Sequence, residues 1–114
     1  MILQSCTMFE CEVNVVEETV ITANVSKIIV AEVGCGATTQ NSFHISIVPM
    51  DFQVSDKFRG NIFTTTDPRF DPGKHMSWDE SNYELTITYT DSSDVFKMEE
   101  SHQQIRIKYN KIDK

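Results

Sequence analysis

The sequence has little of several features that would mark a functional class. Its three cysteines, Cys6, Cys11 and Cys35, are odd in number and too few for the disulfide framework of a small secreted domain. The N-terminus has no basic region followed by a long apolar run, so no signal peptide is expected. No stretch approaches the roughly 20 apolar residues of a membrane-spanning helix. These absences predict a soluble, cytoplasmic protein in a reducing compartment, without contact with a membrane.

Bases are also scarce. The chain carries 10 Lys and Arg against 17 Asp and Glu, which gives a net charge of -7. The excess of acid is greatest in residues 1–57, which hold seven acids and two bases. Such a balance disfavours generic binding to nucleic acid or anionic lipid, and it favours partners with basic surfaces.

What the sequence does have is two-faced strands. Apolar and polar residues alternate with period two in Tyr83–Thr90 and in Gln104–Tyr109, which places one face in a core and the other in water. That pattern is typical of antiparallel sheets covered on one side. At 114 residues the chain has the length of one domain, residues 1–114. The fold class predicted is all-β: a small antiparallel β-sandwich or partly open β-barrel of six to eight strands.

Weaker patterns extend this prediction along the chain. The segment Val95–Ser101 could form one short helix before the last strand. The segment Gly34–Asn41 is expected to be a mobile loop. Glu17 and Glu18 suit a turn, and a bulge or turn is expected near Asn24–Lys27. Further strands are predicted at Cys11–Glu18, Thr19–Val33, Phe43–Met50 and Gly60–Thr66.

The longest irregular segment, Asp67–Asn82, is the first candidate site, because long loops in compact domains are often functional. Its aromatic and Met side chains can form a recognition surface, or they can fold back and plug an open end of the fold. The residues predicted to bind a partner are Phe70, Met76, Trp78, Asp79 and Glu80.

The same segment contains four acids that could gather around a calcium ion: Asp67, Asp71, Asp79 and Glu80. Arg69 stands where the second ligand after Asp67 would be needed. The sequence therefore predicts solvated turn carboxylates and no metal.

A basic group near aromatic residues is the second candidate site. Bases interleaved with aromatics on a sheet are what single-strand binders need. The residues predicted to bind nucleic acid are Arg59, Arg106, Lys108 and Lys111. The last three are assigned to the polar side of the last strand. The alternative is a charged strand that protects a sheet edge, because Tyr109 shares its face with apolar residues.

No group of residues predicts catalysis. Cys35 between two glycines could be an exposed thiol, but neither it nor His44, His75 or His102 lies in a signature of a cysteine enzyme. Cys6 and Cys11 are interpreted as small apolar strand residues. No phosphate loop or dinucleotide fingerprint is present, and no cofactor is predicted.

The function predicted from these observations is a soluble, non-enzymatic binding module for protein-protein interaction or self-assembly. An exposed sheet edge could extend the contact by strand addition. The alternatives are a single-stranded nucleic-acid-binding OB-like barrel and a carrier of a small apolar ligand.

Overall fold

The computed structural model describes residues 11–22, 25–34, 41–90 and 95–112. Within these residues there is one short helix, α1 (Pro72–His75), which Asp71 caps by accepting a hydrogen bond from the Gly73 amide. The described strands are β1 (Glu12–Ile21), β2 (Ser26–Gly34), β3 (Ser42–Pro49), β4 (Phe63–Thr65), β5 (Met76–Asp79), β6 (Glu84–Tyr89), β7 (Val95–Met98), β8 (Ser101–His102) and β9 (Ile105–Lys111).

The strands form two sheets. One contains five strands in the order β1-β2-β3-β4-β7, and the other contains four strands in the order β5-β6-β9-β8. The all-β prediction is confirmed, and of the two predicted arrangements the sandwich is the one that forms. β1 and β5 are edge strands on one side of the sandwich, where the β5–β6 turn contacts the end of β1. β7 and β8 are edge strands on the other side, and the chain passes there directly from one sheet to the other.

The two clearest strands of the sequence are neighbours, but they run in parallel. Leu85 of β6 pairs with Ile107 of β9, and Ile87 pairs with Tyr109. Parallel neighbours need a crossover connection, and here that connection runs through β7 in the other sheet. The remaining pairings among the described strands are antiparallel.

The main core lies between the sheets. The inward residues of β6 and β9 are the apolar members of the period-two pattern, so the prediction of their faces is confirmed. Tyr83 is the exception, because it precedes β6 and has a positive φ of 51°. The buried residues of this core are Ile21, Ile28, Val30, Ile45, Ile47, Ile62, Phe63, Phe70, Leu85, Ile87, Ile105 and Ile107.

A second, smaller core covers the outer face of the five-stranded sheet. Ile29 and Ala31 of β2 and Val48 of β3 pack there with Phe58, which belongs to the segment 50–61 that follows β3. β2 and β3 are therefore buried on both faces, which explains their nearly continuous apolar sequences.

Three local predictions were wrong. Val95–Ser101 forms β7 and β8 rather than a helix, because Val95 and Lys97 pair with β4 and Ser101 pairs with Arg106 of β9. Glu17 and Glu18 lie inside β1, and the chain turns only after Ile21. The segment Asp67–Asn82 is not irregular throughout, since it holds α1 and β5. The predicted mobile loop Gly34–Asn41 lies mostly outside the described residues.

Candidate functional site

The longest described strand, β1, is largely exposed. It is ten residues long, and of these only Ile21 is buried. Within the described residues β1 pairs with β2 along one edge only, so its other edge presents backbone groups that a further strand could use. Three valines of this strand, Val15, Val16 and Val20, expose 43%, 49% and 48% of their surface.

A β-bulge divides β1 into two stretches. Val15 pairs with Ala31 and Glu17 pairs with Val30, so Val16 is an extra residue without a partner in β2. The longer stretch after the bulge is Glu17–Ile21. In this stretch Glu17 and Glu18 supply two carboxylates, and Lys27 of β2 lies 3.9 Å from Glu18.

The turn between β5 and β6 extends this edge with two more acids. The Thr22 hydroxyl, one residue beyond β1, donates a hydrogen bond of 3.2 Å to Glu80 Oε2. The indole Nε1 of Trp78 donates to Glu80 Oε1 at 3.0 Å. Asp79 accepts hydrogen bonds from Asn82 and from the Ser81 amide. The Asn82 side chain is the main reason that the pKa of Asp79 is lowered.

Val25, which directly precedes β2, is an apolar residue in a strained backbone conformation. It has a φ of 55°, in the left-handed region that β-branched residues rarely adopt, and 65% of its surface is exposed. A strained exposed residue of this kind points to a role on the surface, since packing does not require it. We define the β1-edge surface as Glu17, Glu18, Val20, Trp78, Asp79 and Glu80.

The residues predicted to bind a partner fall into two groups. Phe70 is 5% exposed and lies in the main core, with its ring 5.5 Å from that of Phe43 and 5.6 Å from that of Phe63. Met76 and Trp78 are half-buried and pack against the same core, which is the contact that the plug interpretation requires. Asp79 and Glu80 are exposed on the β1-edge surface.

The four acids of the calcium alternative have separate roles. Asp71 caps α1, and Asp79 orders the β5–β6 turn. Among the described residues no group of three or more His, Cys, Asp or Glu side chains is arranged to hold a metal ion.

Asp67 is a buried ionic junction between the ends of β4 and β6. It is 5% exposed, lies 2.9 Å from Arg69 Nε, and accepts a hydrogen bond of 2.6 Å from the Thr90 hydroxyl. Burial alone would raise the pKa of Asp67, but the hydrogen bonds from Arg69 and Thr90 outweigh it and lower this pKa to about 2. The junction joins two strands of different sheets, so its role is structural.

The bases predicted for nucleic acid do not share a surface. Arg59 lies beside the outer face of the five-stranded sheet, with Nη1 bonded to Phe58 O and Nη2 3.1 Å from Cys11 Sγ. Arg106 and Lys108 face outward from the four-stranded sheet, and Arg106 pairs with Glu84 at 3.4 Å. Lys111 has the strand parity of Ile105 and Ile107, so its assignment to the polar side of β9 was wrong.

His44 forms the one pair with a serine that resembles catalytic machinery among the described residues. Its Nε2 lies 2.8 Å from Ser42 Oγ, and its Nδ1 accepts a hydrogen bond of 2.9 Å from the Gly60 amide. Because the amide can only donate, Nδ1 carries no proton, and Nε2–H donates to the serine. Burial and the charge of Arg59 lower the pKa of His44 to about 4. This histidine cannot accept a proton from Ser42, and both residues lie in β3, so the pair is a contact within one strand. The bond from the Gly60 amide is the contact that joins His44 to another segment.

Cys11 is disulfide-bonded, which corrects its interpretation as a small apolar strand residue. The two other cysteines, Cys6 and Cys35, lie outside the described residues, as do the predictions that concern them. This bond removes the argument from cysteine content for a reducing compartment.

Two further findings concern the molecule as a whole. Within the described ranges, no helix is long and apolar enough to cross a membrane. No protein-family model, no curated protein and no solved structure matches this chain, so the functional argument depends on its own residues.

Proposed function

We propose that this protein is a non-enzymatic binding module that takes up an extended, basic segment of another protein as an additional strand beside Glu17–Ile21. The observation that supports this most directly is the exposure of most of β1, which among the described strands pairs along one edge only. Strand addition uses backbone hydrogen bonds for affinity and alternating side chains for specificity.

The charges of the surface favour a basic partner. Glu17, Glu18, Asp79 and Glu80 lie along this edge, in a molecule whose net charge is -7. Glu17 pairs with Val30 on the inner face, whereas Glu18 shares the outer face with Val20. Lys or Arg side chains at alternate positions of an added strand would meet Glu17, and apolar side chains between them would cover Val20 beside Glu18.

Self-assembly through two copies of the same edge is less favourable. An antiparallel pair of β1 strands would bring Glu17 and Glu18 of one copy close to those of the other, and like charges directly opposite each other are destabilising. The bulge at Val16 also interrupts the long, flat edge that such pairing needs.

The alternatives receive less support from the geometry. For a nucleic-acid binder, the predicted bases lie on two different faces. For a carrier of an apolar ligand, large side chains such as Phe63 and Leu85 fill the space between the sheets. The cytoplasmic location remains a prediction, and the Cys11 disulfide favours an oxidising compartment instead.

A synthetic peptide of alternating Lys and Val tests the proposal. Trp78 is the only tryptophan and is bonded to Glu80, so its fluorescence should change when the peptide binds. We expect the double variant Glu17→Gln/Glu18→Gln to weaken binding roughly tenfold, which corresponds to about 1.4 kcal/mol. The matched control is Glu99→Gln/Glu100→Gln, which removes the same charge at the β7–β8 side of the sandwich.

Two further comparisons make the result decisive. A peptide with a central Pro cannot continue the ladder of strand hydrogen bonds and should not bind. Equal weakening by both double variants, or equal binding of the Pro peptide, would show attraction by net charge alone and overturn the proposal. Binding of oligothymidylate in place of the peptide would favour the nucleic-acid alternative, and self-association of the chain in sedimentation would favour self-assembly.

A further inference from the structure

A cavity of about 440 Å³ lies on the outer face of the five-stranded sheet, away from the β1-edge surface. Its floor is the outward side of β3, at Ser46 and Val48, and its walls come from the segment 50–61. Ligand pockets of proteins commonly measure roughly 300–1,000 Å³. The cavity therefore has room for a small organic molecule.

Hydrogen bonds hold the walls of this cavity in place. The Ser46 hydroxyl donates to Arg59 O and accepts from the Asn61 amide, and the Asn61 side chain pairs with both backbone groups of Ile47. Gly60 approaches β3 so closely that an added Cβ would lie 2.8 Å from Phe63 O and 3.0 Å from Ile45 N. Because these groups are bonded within the protein, the cavity keeps its shape without a ligand.

The lining combines an aromatic side with a cationic side. The rings of Phe52 and Phe58 meet edge to face at a distance of 6.2 Å, and Phe58 is buried in the outer core. Lys57 and Arg59 bring two positive charges to the same cavity. None of the described residues that line it is acidic, although the chain as a whole has a large excess of acid.

These groups differ in how they can act on a ligand. The Arg59 guanidinium already donates to Phe58 O and lies close to Cys11 Sγ, so it fixes the wall and contributes charge. Lys57 is exposed and bonds through its backbone amide to Ser55 Oγ. Its ammonium group can move to meet an anion, and such charge-assisted hydrogen bonds are about twice as strong as neutral ones.

From these observations we infer that this cavity binds a small aromatic carboxylate. The ring of the ligand packs on Phe52 and Phe58, and its carboxylate accepts a hydrogen bond from Lys57 in the positive field of Arg59. This site is independent of the strand-addition surface, since it uses the outer face of β3 and the segment 50–61.

Titration of the full chain with naphthoate, followed by amide NMR spectra, tests the inference. We expect shifts concentrated at residues 46–61 and saturable binding. The neutral isostere naphthamide should bind at least fivefold more weakly, because it has no charge for Lys57. The variant Lys57→Gln should weaken naphthoate binding by a similar factor, while Lys97→Gln on the exposed strand β7 should leave it unchanged.

The opposite results would overturn the inference. Shifts spread over the surface, equal binding of naphthoate and naphthamide, or equal effects of the two lysine variants would each show that the cavity does not recognise a carboxylate. Because the Lys57 side chain is exposed, folding of Lys57→Gln can be verified by an otherwise unchanged spectrum.

Discussion

At the scale of single residues, the polar groups that matter most to this fold are buried and already bonded. His44 is 7% exposed, and it joins β3 to the segment that covers the outer face through Gly60. The sequence showed a histidine inside a strand, but it could not show that a backbone amide would occupy its Nδ1. Because the Gly60 amide donates to Nδ1, the proton of the neutral ring is on Nε2. His44 therefore cannot take a proton from Ser42, and its contacts are structural.

We predict that protonation of His44 destabilises the protein in mild acid. Its pKa is about 4 in the folded protein against 6.5 in the unfolded chain, so the unfolded chain binds the proton first. The contribution of neutral His44 is present above about pH 6.5 and is lost as pH falls toward 4. The free energy of unfolding should fall by about 2 kcal/mol between about pH 7.5 and about pH 5, as measured by urea denaturation.

The variant His44→Asn provides the control for this prediction. Its Oδ1 can accept the Gly60 hydrogen bond without titrating, so the dependence on pH over this range should largely disappear. The variant His102→Asn, at the half-buried end of β8, should keep the slope of the parent protein. Asp67 does not interfere, because its pKa is lowered from 3.8 to about 2 and its contribution is lost only below about pH 3.8. An unchanged slope in His44→Asn would contradict the assignment.

At the scale of secondary-structure elements, β1 is an exposed edge strand that also carries features limiting its pairing with other chains. A long, flat edge strand invites pairing with other chains, and proteins limit this with charges and bulges. β1 has both, since Glu17 and Glu18 follow directly after the bulge at Val16. The two features discourage pairing along the whole strand, and under the proposed strand addition the partner would pair with the short stretch Glu17–Ile21.

We predict that deletion of Val16 increases self-association. Val15 and Glu17 already pair with adjacent residues of β2, Ala31 and Val30, so the deletion makes the ladder regular without changing the register on either side. The strand should become flatter and a better template for another chain. Sedimentation velocity at matched concentrations should show larger species than for the parent protein.

The substitution Val16→Lys is the matched control for this deletion. It keeps the extra residue and adds a charge, so it should sediment like the parent chain. Equal sedimentation of the deletion and the lysine variant would mean that the bulge does not protect the edge.

At the scale of the whole molecule, the sequence predicted which face of a strand is buried but not which strands pair with each other. Period-two alternation correctly identified the inward residues of β6 and β9, because burial of one face is a local property of a strand. The parallel pairing of these two strands depends on the path of the chain through β7, which no local pattern encodes. The same reason explains why β7 was predicted as a helix, since its partner in β4 is remote in the sequence.

The candidate site was predicted in part for a related reason. Asp79 and Glu80 were identified from loop composition alone, and they are exposed. The contribution of β1 was missed, because the alternation that marks a strand does not show whether the strand lies at an edge. The contact between Thr22 and Glu80 joins the two segments into one surface.

This topology predicts slow folding with a defined order of events. Phe63 pairs with Met98 and Leu85 pairs with Ile107, so both sheets depend on contacts between residues far apart in the sequence. Sheets of this kind refold in milliseconds to seconds, because the chain loses the entropy of loop closure before the long-range contacts can stabilise it. The β2–β3 pairing is more local and should form earlier than the crossover.

Two conservative substitutions measured by stopped-flow kinetics separate these steps. Ile45→Val in β3 and Ile107→Val in β9 both remove one buried methyl group, at a cost of roughly 0.5–1.5 kcal/mol each. If the β2–β3 pair belongs to the folding nucleus, Ile45→Val should slow refolding. If β6 and β9 pair after the transition state, Ile107→Val should mainly accelerate unfolding. The reverse pattern would place the parallel crossover in the nucleus, and the order argued from the separation of contacts along the chain would be wrong.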